Sequence, residues 1–265
     1  MTRVPRHYNH DLTFVGVEGS WLHDYGDRLV REFRYLGYHA VWMSLDTDDP
    51  KKKSAGLGKD LRAKEEAAGL ENIIRIAHSS GLTNAIQEAD PEAVIGIHGV
   101  AGGLPVKSIV QLAGNETANL LADRYTPEFQ AGIIWPSDGS GYLTQFRKNM
   151  VEQVFLDHRN GNRANIDQAT RDMIVKRIRQ RLRHPNDSVV THLPDVELAY
   201  TALRWDNALK FREFQLPFAR RVLGVEPQIL DCGHTPMAEC PKDLAELAVS
   251  TALGMKKRAL ERRAG

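Results

Sequence analysis

The chain of 265 residues is 42% hydrophobic and 26% charged, with a formal net charge of +1. Those values describe a globular chain long enough to bury a full core, and they exclude a disordered chain, a membrane span and global steering by a polyanion such as nucleic acid. Two cysteines, Cys232 and Cys240, are too few for a disulfide framework or a zinc site; both lie near the C-terminus, where a single disulfide between them is conceivable, and reduced thiols are the expectation. The first residues, M-T-R-V-P-R-H-Y-N-H-D, lack an apolar stretch of signal-peptide length, and a cytoplasmic location is the expectation.

Residues 12–17 read as a strand, followed by a loop at Glu18, Gly19, Ser20 and Trp21. Residues 24–36 carry Leu29, Val30, Phe33 and Leu36 at helical spacing, and Gly37 is a natural stop. A second strand spans 39–45. The polar stretch 47–59, with Asp48, Asp49 and Pro50, reads as a surface loop, and the Ala-, Glu-, Lys- and Arg-rich stretch 61–70 as a helix. Ile73, Ile74 and Ile76 then form the β-branched run of a buried central strand. It turns abruptly into a helix through Leu82, Ala85, Ile86 and Ala89, which Asp90 and Pro91 stop. Residues 93–98, A-V-I-G-I-H, are a further strand.

From about residue 102 to 186 this rhythm breaks. Helical patterns such as 167–183, turns at Pro136 and Gly139 and no clear strand predict an inserted helical cap, leaving 1–101 and 187–265 as the core. Beyond it, 198–203 reads as a strand, 210–223 as a helix kinked by Pro217, 227–230 as a short strand and 244–262 as the closing helix. Alternating strands and helices imply a parallel sheet joined by right-handed crossovers, with active groups at the strands' C-terminal ends.

The stretch A-H-S-S-G, residues 77–81, places a serine at the strand-to-helix bend. It follows the G-x-S-x-G pattern of a nucleophile elbow, with Ala77 at the leading glycine position. Strand and helix backbones nearly touch there, so small residues must flank the serine. Choosing Ser80 would put Ser79 and Leu82 in those positions, which leaves Ser79 in register; the plainer reading is a serine that only caps the helix. His78 beside it is read as structural, with a share in lining the pocket. The run G-V-A-G-G, 99–103, lacks both the G-x-G-x-x-G spacing and a Walker lysine, so it reads as a flexible approach to the cap rather than a phosphate cradle. Residues 171–183, R-D-M-I-V-K-R-I-R-Q-R-L-R, carry a basic stripe beside Ile174, Ile178 and Leu182, read as the solvated face of a cap helix in preference to a nucleic-acid or membrane surface. Trp21, Trp135 and Trp205 flank loops at the active end, and Trp135 and Trp21 are candidate pocket walls.

With these elements placed, the chain resembles the α/β-hydrolase fold superfamily, in its serine-nucleophile branch, from Leu12 to about Ala252. Four stretches carry the resemblance: F-V-G-V-E-G-S-W through G-Y-H-A-V-W-M-S-L-D, then A-H-S-S-G, then L-A-Y-T-A-L-R-W-D, and finally C-G-H-T-P-M-A-E-C-P, which looks like the family's histidine loop. It implies an α/β-hydrolase fold with a mostly parallel sheet of about six strands and an inserted helical cap. It also implies a Ser79, Asp206, His234 triad in the family's order. Asp206 follows its strand, whereas Asp195 precedes that strand and Asp231 lies too close to His234 to fold back onto it. The backbone N–H of Ser80 is the expected oxyanion donor, with Val17 N–H as the second, because Val15 and Gly16 stand where the family usually carries His-Gly. The implied chemistry is hydrolysis of a carboxylic ester, lactone or thioester through an acyl-serine. A small-molecule substrate is expected, with no metal, organic cofactor or nucleic-acid partner. Two other readings stay open: carbon–carbon bond cleavage or cofactor-independent dioxygenation on the same fold, and a non-catalytic binding protein that retains it.

Overall fold

The computed structural model describes residues 9–19, 25–45, 56–134, 143–162, 164–176, 181–182 and 189–264. The first part alternates strands and helices: β1 (Asn9–Val17), α1 (Asp27–Tyr35), β2 (Tyr38–Met43), α2 (Leu57–Ala67), β3 (Ile73–His78), α3 (Gly81–Ile86) and β4 (Val94–Val100). The insert follows with α4 (Val106–Leu120), α5 (Pro127–Gly132), β5 (Ile133–Ile134), β6 (Leu143–Phe146), a π-helical turn (Glu152–Leu156), α6 (Gln168–Lys176) and β7 (Arg181–Leu182). The chain then returns to the core through β8 (Glu197–Leu203), a second π-helical turn (Phe211–Gln215), α7 (Leu216–Arg221), β9 (Gln228–Leu230), α8 (Pro236–Glu239) and α9 (Pro241–Ala264).

Six strands form one parallel sheet in the order β2-β1-β3-β4-β8-β9. The chain moves outward from β1 to β2 and then crosses back to β3, so the strand order reverses between β1 and β3. A crevice opens at the C-terminal ends of two strands that part in this way. Helices cover both faces, and every residue of β3 and β4 is buried, which is why these strands read as apolar runs and not as alternating patterns.

Arg75 breaks that run from inside. Its guanidinium, fully buried in β3, pairs with both oxygens of Glu65 in α2 at 2.9 and 2.5 Å and donates to Ala85 O in α3 at 2.6 Å. The pair fastens α2, β3 and α3 together. Removing either partner would strand a buried charge, at a cost of about 3–5 kcal/mol.

The closing helix α9 buries Leu244, Ala245, Ala248, Ala252, Met255 and Ala259, three or four residues apart along one side. Gly96 in β4 makes room for it, since a Cβ there would stand 2.6 Å from Met255 Sδ. Arg258 and Arg262, near the end of α9, both pair with Glu197 at the start of β8. Burial pushes the Glu197 carboxyl up, but hydrogen bonds from the two arginines outweigh it and hold the group below the usual carboxylate range.

The segment between β4 and β8, which are neighbours in the sheet, departs from expectation in two ways. It contains a small antiparallel sheet of β5, β6 and β7. Strands of two to four residues are too short for alternation to show in the sequence. The basic stretch is also not one solvated helix: α6 ends at Lys176, Arg181 lies in a strand and Arg171 is fully buried. Arg171 pairs with Asp157 at 3.0 Å and donates to the carbonyls of Leu156, Ala164 and Ile166, so it binds the insert together from within. Among the described residues no helix is long and apolar enough to cross a membrane.

Candidate active site

The bend between β3 and α3 is built from backbone constraints. Ser79 sits at φ +53°, in the left-handed region that costs a side chain energy, and its N–H donates to Val100 O at 3.0 Å. Such strain persists where the surroundings force it, and here they do. A Cβ on Gly81 would come within 2.5 Å of Glu18 O, and one on Gly102 within 2.8 Å of Leu82. Ala77, fully buried between Val17 and Gly99, fills the leading small position without needing a glycine.

Two other loops meet this bend. The first follows β1, where Gly19 packs so closely that a Cβ on it would stand 2.9 Å from Ser79 Cβ. The second carries His234, whose Nδ1 lies 3.0 Å from each carboxylate oxygen of Asp206. Both groups are buried, yet the carboxylate is fully supported. Asp206 Oδ1 also accepts the N–H groups of Ala208 and Leu209 at 2.6 and 3.0 Å, and Oδ2 accepts Gln215 Nε2 at 3.0 Å. A carboxylate so held keeps the proton of His234 on Nδ1 and leaves Nε2 as the free basic nitrogen. Among the described residues neither His234 Nε2 nor Ser79 Oγ has a hydrogen-bond partner.

The elbow and the histidine loop are tied one residue before the serine. His78 Nε2 donates to His234 O at 2.7 Å, and the two imidazole rings lie 4.8 Å apart. Tyr25 Oη donates to His78 Nδ1 at 2.5 Å and accepts Gly19 N–H at 3.2 Å. Burial, with the neighbouring His234, pushes the His78 pKa well below its ordinary value, and burial pushes the Tyr25 phenol up, so both are neutral.

The insert supplies a wall. Phe155 lies 5.5 Å from the His234 ring, and its carbonyl accepts Thr235 Oγ1 at 2.7 Å. His158 bonds Glu239, which in turn accepts Gly233 N–H at 2.7 Å. Cys232 and Cys240 bracket this loop as free thiols, and burial holds the Cys232 thiol well above its usual range.

By sequence, the chain matches no protein-family model and no curated protein. By structure, it is similar to an extracellular α/β-hydrolase from a Paenibacillus species, at 16% identity and TM-score 0.62 over 90% of this chain and 98% of that one. A pyrethroid hydrolase from Sphingobium faniae JZ-2 superposes at 15% identity and TM-score 0.63 over 91% and 96%. Tomato methylketone synthase I, as a variant complexed with β-ketoheptanoate, does so at 13% identity and TM-score 0.68 over 92% and 97%. The chain has the α/β-hydrolase fold. At these identities the likeness is one of fold.

Within that α/β-hydrolase fold, the residues singled out from sequence fall unevenly. Asp206 and His234 are brought together, and the half-buried Ser79 and Ser80 occupy the bend. Asp195 is exposed, and Asp231 is exposed and paired with Arg204 at 3.0 Å. Trp21 and Trp135 lie outside the described residues. His78 is 1% exposed with both nitrogens engaged, so it fastens loops from below and does not form an open pocket wall. Val15 and Gly16 lie within β1, where Gly16 leaves room for the Trp42 ring, and Val17 is the strand's last residue, opposite Ala77 and Met43. The pair that follows the first strand is therefore Glu18 and Gly19. Glu18 is buried and accepts Ser44 Oγ and Leu45 N–H at 2.8 and 3.0 Å, which moors the loop. Sequence reasoning missed Tyr25, Gln215 and Phe155. None of the three left a local signal, whereas Gly19 stands in the loop already expected after residue 17.

Proposed function

We propose that the protein is a serine hydrolase that opens a carboxylic ester, lactone or thioester through an acyl-Ser79 intermediate. The observation that carries this reading is the buried Asp206–His234 pair standing beside a serine strained to φ +53° at the strand-to-helix bend. Ser79 Oγ bonds to the carbonyl carbon as its proton passes to His234 Nε2, and the imidazolium is stabilised through Nδ1–H by Asp206. Collapse of the tetrahedral adduct breaks the bond to the leaving group, which takes the proton from His234. Water then repeats the sequence on the acyl-enzyme, releasing the acid and restoring Ser79.

Ser80 N–H, one residue past the nucleophile, is assigned as an oxyanion donor. Gly19 N–H is already given to Tyr25 Oη, and Val17, whose N–H is the second donor expected from the sequence, closes β1 opposite Ala77. The insert at 102–186 is assigned as a cap that sizes the substrate, supported by its position between neighbouring strands and by Phe155 against His234. The similar structures include proteins named as a pyrethroid hydrolase and a polyneuridine aldehyde esterase, which agrees with ester chemistry by analogy of fold.

The test is fluorophosphonate labelling and p-nitrophenyl ester turnover in the wild type and in Ser79→Ala. Both are expected in the wild type and absent from the variant, whose stability should lie within about 1 kcal/mol of the parent. Labelling that survives Ser79→Ala would move the nucleophile elsewhere. A wild type that neither labels nor turns over esters would favour a binding protein, and one that consumes only β-keto acids would favour the carbon–carbon reading.

A further inference from the structure

We propose that Tyr25 and His78 form a positioning pair that locks the main chain of His234 to the Gly19 loop beneath Ser79. The inference rests on the reading that His234 is the base for Ser79. Four groups stand in line: Gly19 N–H donates to Tyr25 Oη at 3.2 Å, Tyr25 O–H to His78 Nδ1 at 2.5 Å, and His78 Nε2–H to His234 O at 2.7 Å.

Only one proton arrangement satisfies this line. A carbonyl oxygen cannot donate, so His78 must carry its proton on Nε2. Its Nδ1 is then a lone pair, which makes the Tyr25 hydroxyl the donor and leaves the phenol oxygen to accept from Gly19. Every donor meets one acceptor, and the order cannot reverse. Tyr25 and His78 are 2% and 1% exposed, so water offers no substitute partner. The depressed basicity of His78 and the raised pKa of Tyr25 agree with this neutral state.

The line matters because of what hangs from its ends. The His234 ring is held at two points, through Nδ1 by Asp206 and through its own main chain, and on the serine mechanism the aim of Nε2 depends on both. Gln215 and two backbone N–H groups fix the Asp206 side, and His78 fixes the main-chain side. Gly19, at the other end, abuts Ser79 Cβ. Base and nucleophile are thus set against each other by a single buried connection, and a displacement of about 1 Å between such groups can cost on the order of a hundredfold in rate.

A merely space-filling role would behave differently from a hydrogen-bonded one, and four variants separate the two. Tyr25→Phe keeps the ring and removes the hydroxyl, His78→Leu removes both connections, and His78→Gln retains one donor and one acceptor. On a p-nitrophenyl ester that the wild type hydrolyses, Tyr25→Phe should lower kcat about tenfold and His78→Leu about a hundredfold, with KM changed less than about twofold. His78→Gln should recover most of the loss. Combining Tyr25→Phe with His78→Leu should cost no more than His78→Leu alone, because the two act through one connection. Near-normal kcat in His78→Leu, or losses that multiply in the double variant, would overturn the proposal. If His78→Leu does not fold, Tyr25→Phe decides: an unchanged kcat refutes the pair, and a lowered kcat at an unchanged unfolding midpoint supports it. Ser79→Ala keeps the two readings apart. Activity surviving Ser79→Ala defeats the serine mechanism itself, whereas an inactive Ser79→Ala beside a normal His78→Leu defeats only the positioning pair.

Discussion

Replacing Asp206 by Asn is a severe test of the proposed mechanism because the surroundings dictate how the amide must sit. Oδ1 accepts two backbone N–H groups, from Ala208 and Leu209, and an amide nitrogen there would face both donors. The Asn oxygen is therefore forced into the Oδ1 place and its NH2 into the Oδ2 place. That NH2 faces His234 Nδ1, and the oxygen in the Oδ1 place, also 3.0 Å from Nδ1, is already taken up by two N–H groups, so the tautomer that accepts on Nδ1 and carries the ring's proton on Nε2 is favoured. A base with its proton already on Nε2 cannot take one from Ser79. The loss expected is on the order of ten thousandfold in kcat, equivalent to about 5.5 kcal/mol of transition-state stabilisation. The same NH2 also meets Gln215 Nε2, donor against donor, at a cost of about 1–3 kcal/mol in stability. Steady-state turnover of an ester substrate, with urea denaturation beside it, reads both quantities. An Asp206→Asn protein with nearly normal turnover would reduce Asp206 to a turn-forming residue and leave the mechanism without its acid.

Acid should weaken the fold through its buried histidines. His98 is fully buried in β4, bonded through Nε2 to Thr201 Oγ1 at 2.7 Å with no partner on Nδ1 among the described residues, and burial lowers its pKa to about 4. The unfolded chain binds this proton first, so stability complete above about pH 6.5 is lost as pH falls toward 4, by on the order of 3 kcal/mol. Urea denaturation at pH 7.5 and 4.5 should show His98→Gln losing less than the wild type, with His78 contributing to the remainder in the same direction; equal losses would refute the assignment. For the cap, Trp135→Ala should shift the relative rates across a p-nitrophenyl ester chain-length series more than it changes the reaction, and an unchanged series would remove Trp135 from the pocket.

The sheet was legible because its central strands obey a simple rule. Ile73, Ile74 and Ile76, and the apolar run of β4, fill strands covered on both sides, and runs of that kind separated by helical periods leave few topologies. Arg75 did not disturb the reading, although it is the most polar group in the sheet's centre. Its partner Glu65 lies ten residues away in a helix that otherwise reads as solvent-exposed. The insert was less legible because its strands are two to four residues long and its organising group, Arg171, looks like any surface arginine until its carbonyl partners are known.

At the site, what could be read was what the backbone restricts locally. A left-handed Ser79 beside a helix that crosses within contact of β1 demands small residues at 77 and 81, and that demand is written in five consecutive positions. No local rule reports that Tyr25 meets His78 across 53 residues, or that His78 meets His234 across 156. Gln215, nine residues from Asp206, was hidden differently, inside a π-helical turn that a 3.6-residue period cannot register. Gly16 was legible as a residue of the strand over 12–17, but the contact that its missing side chain serves, room for the ring of Trp42, is long-range and leaves no local mark.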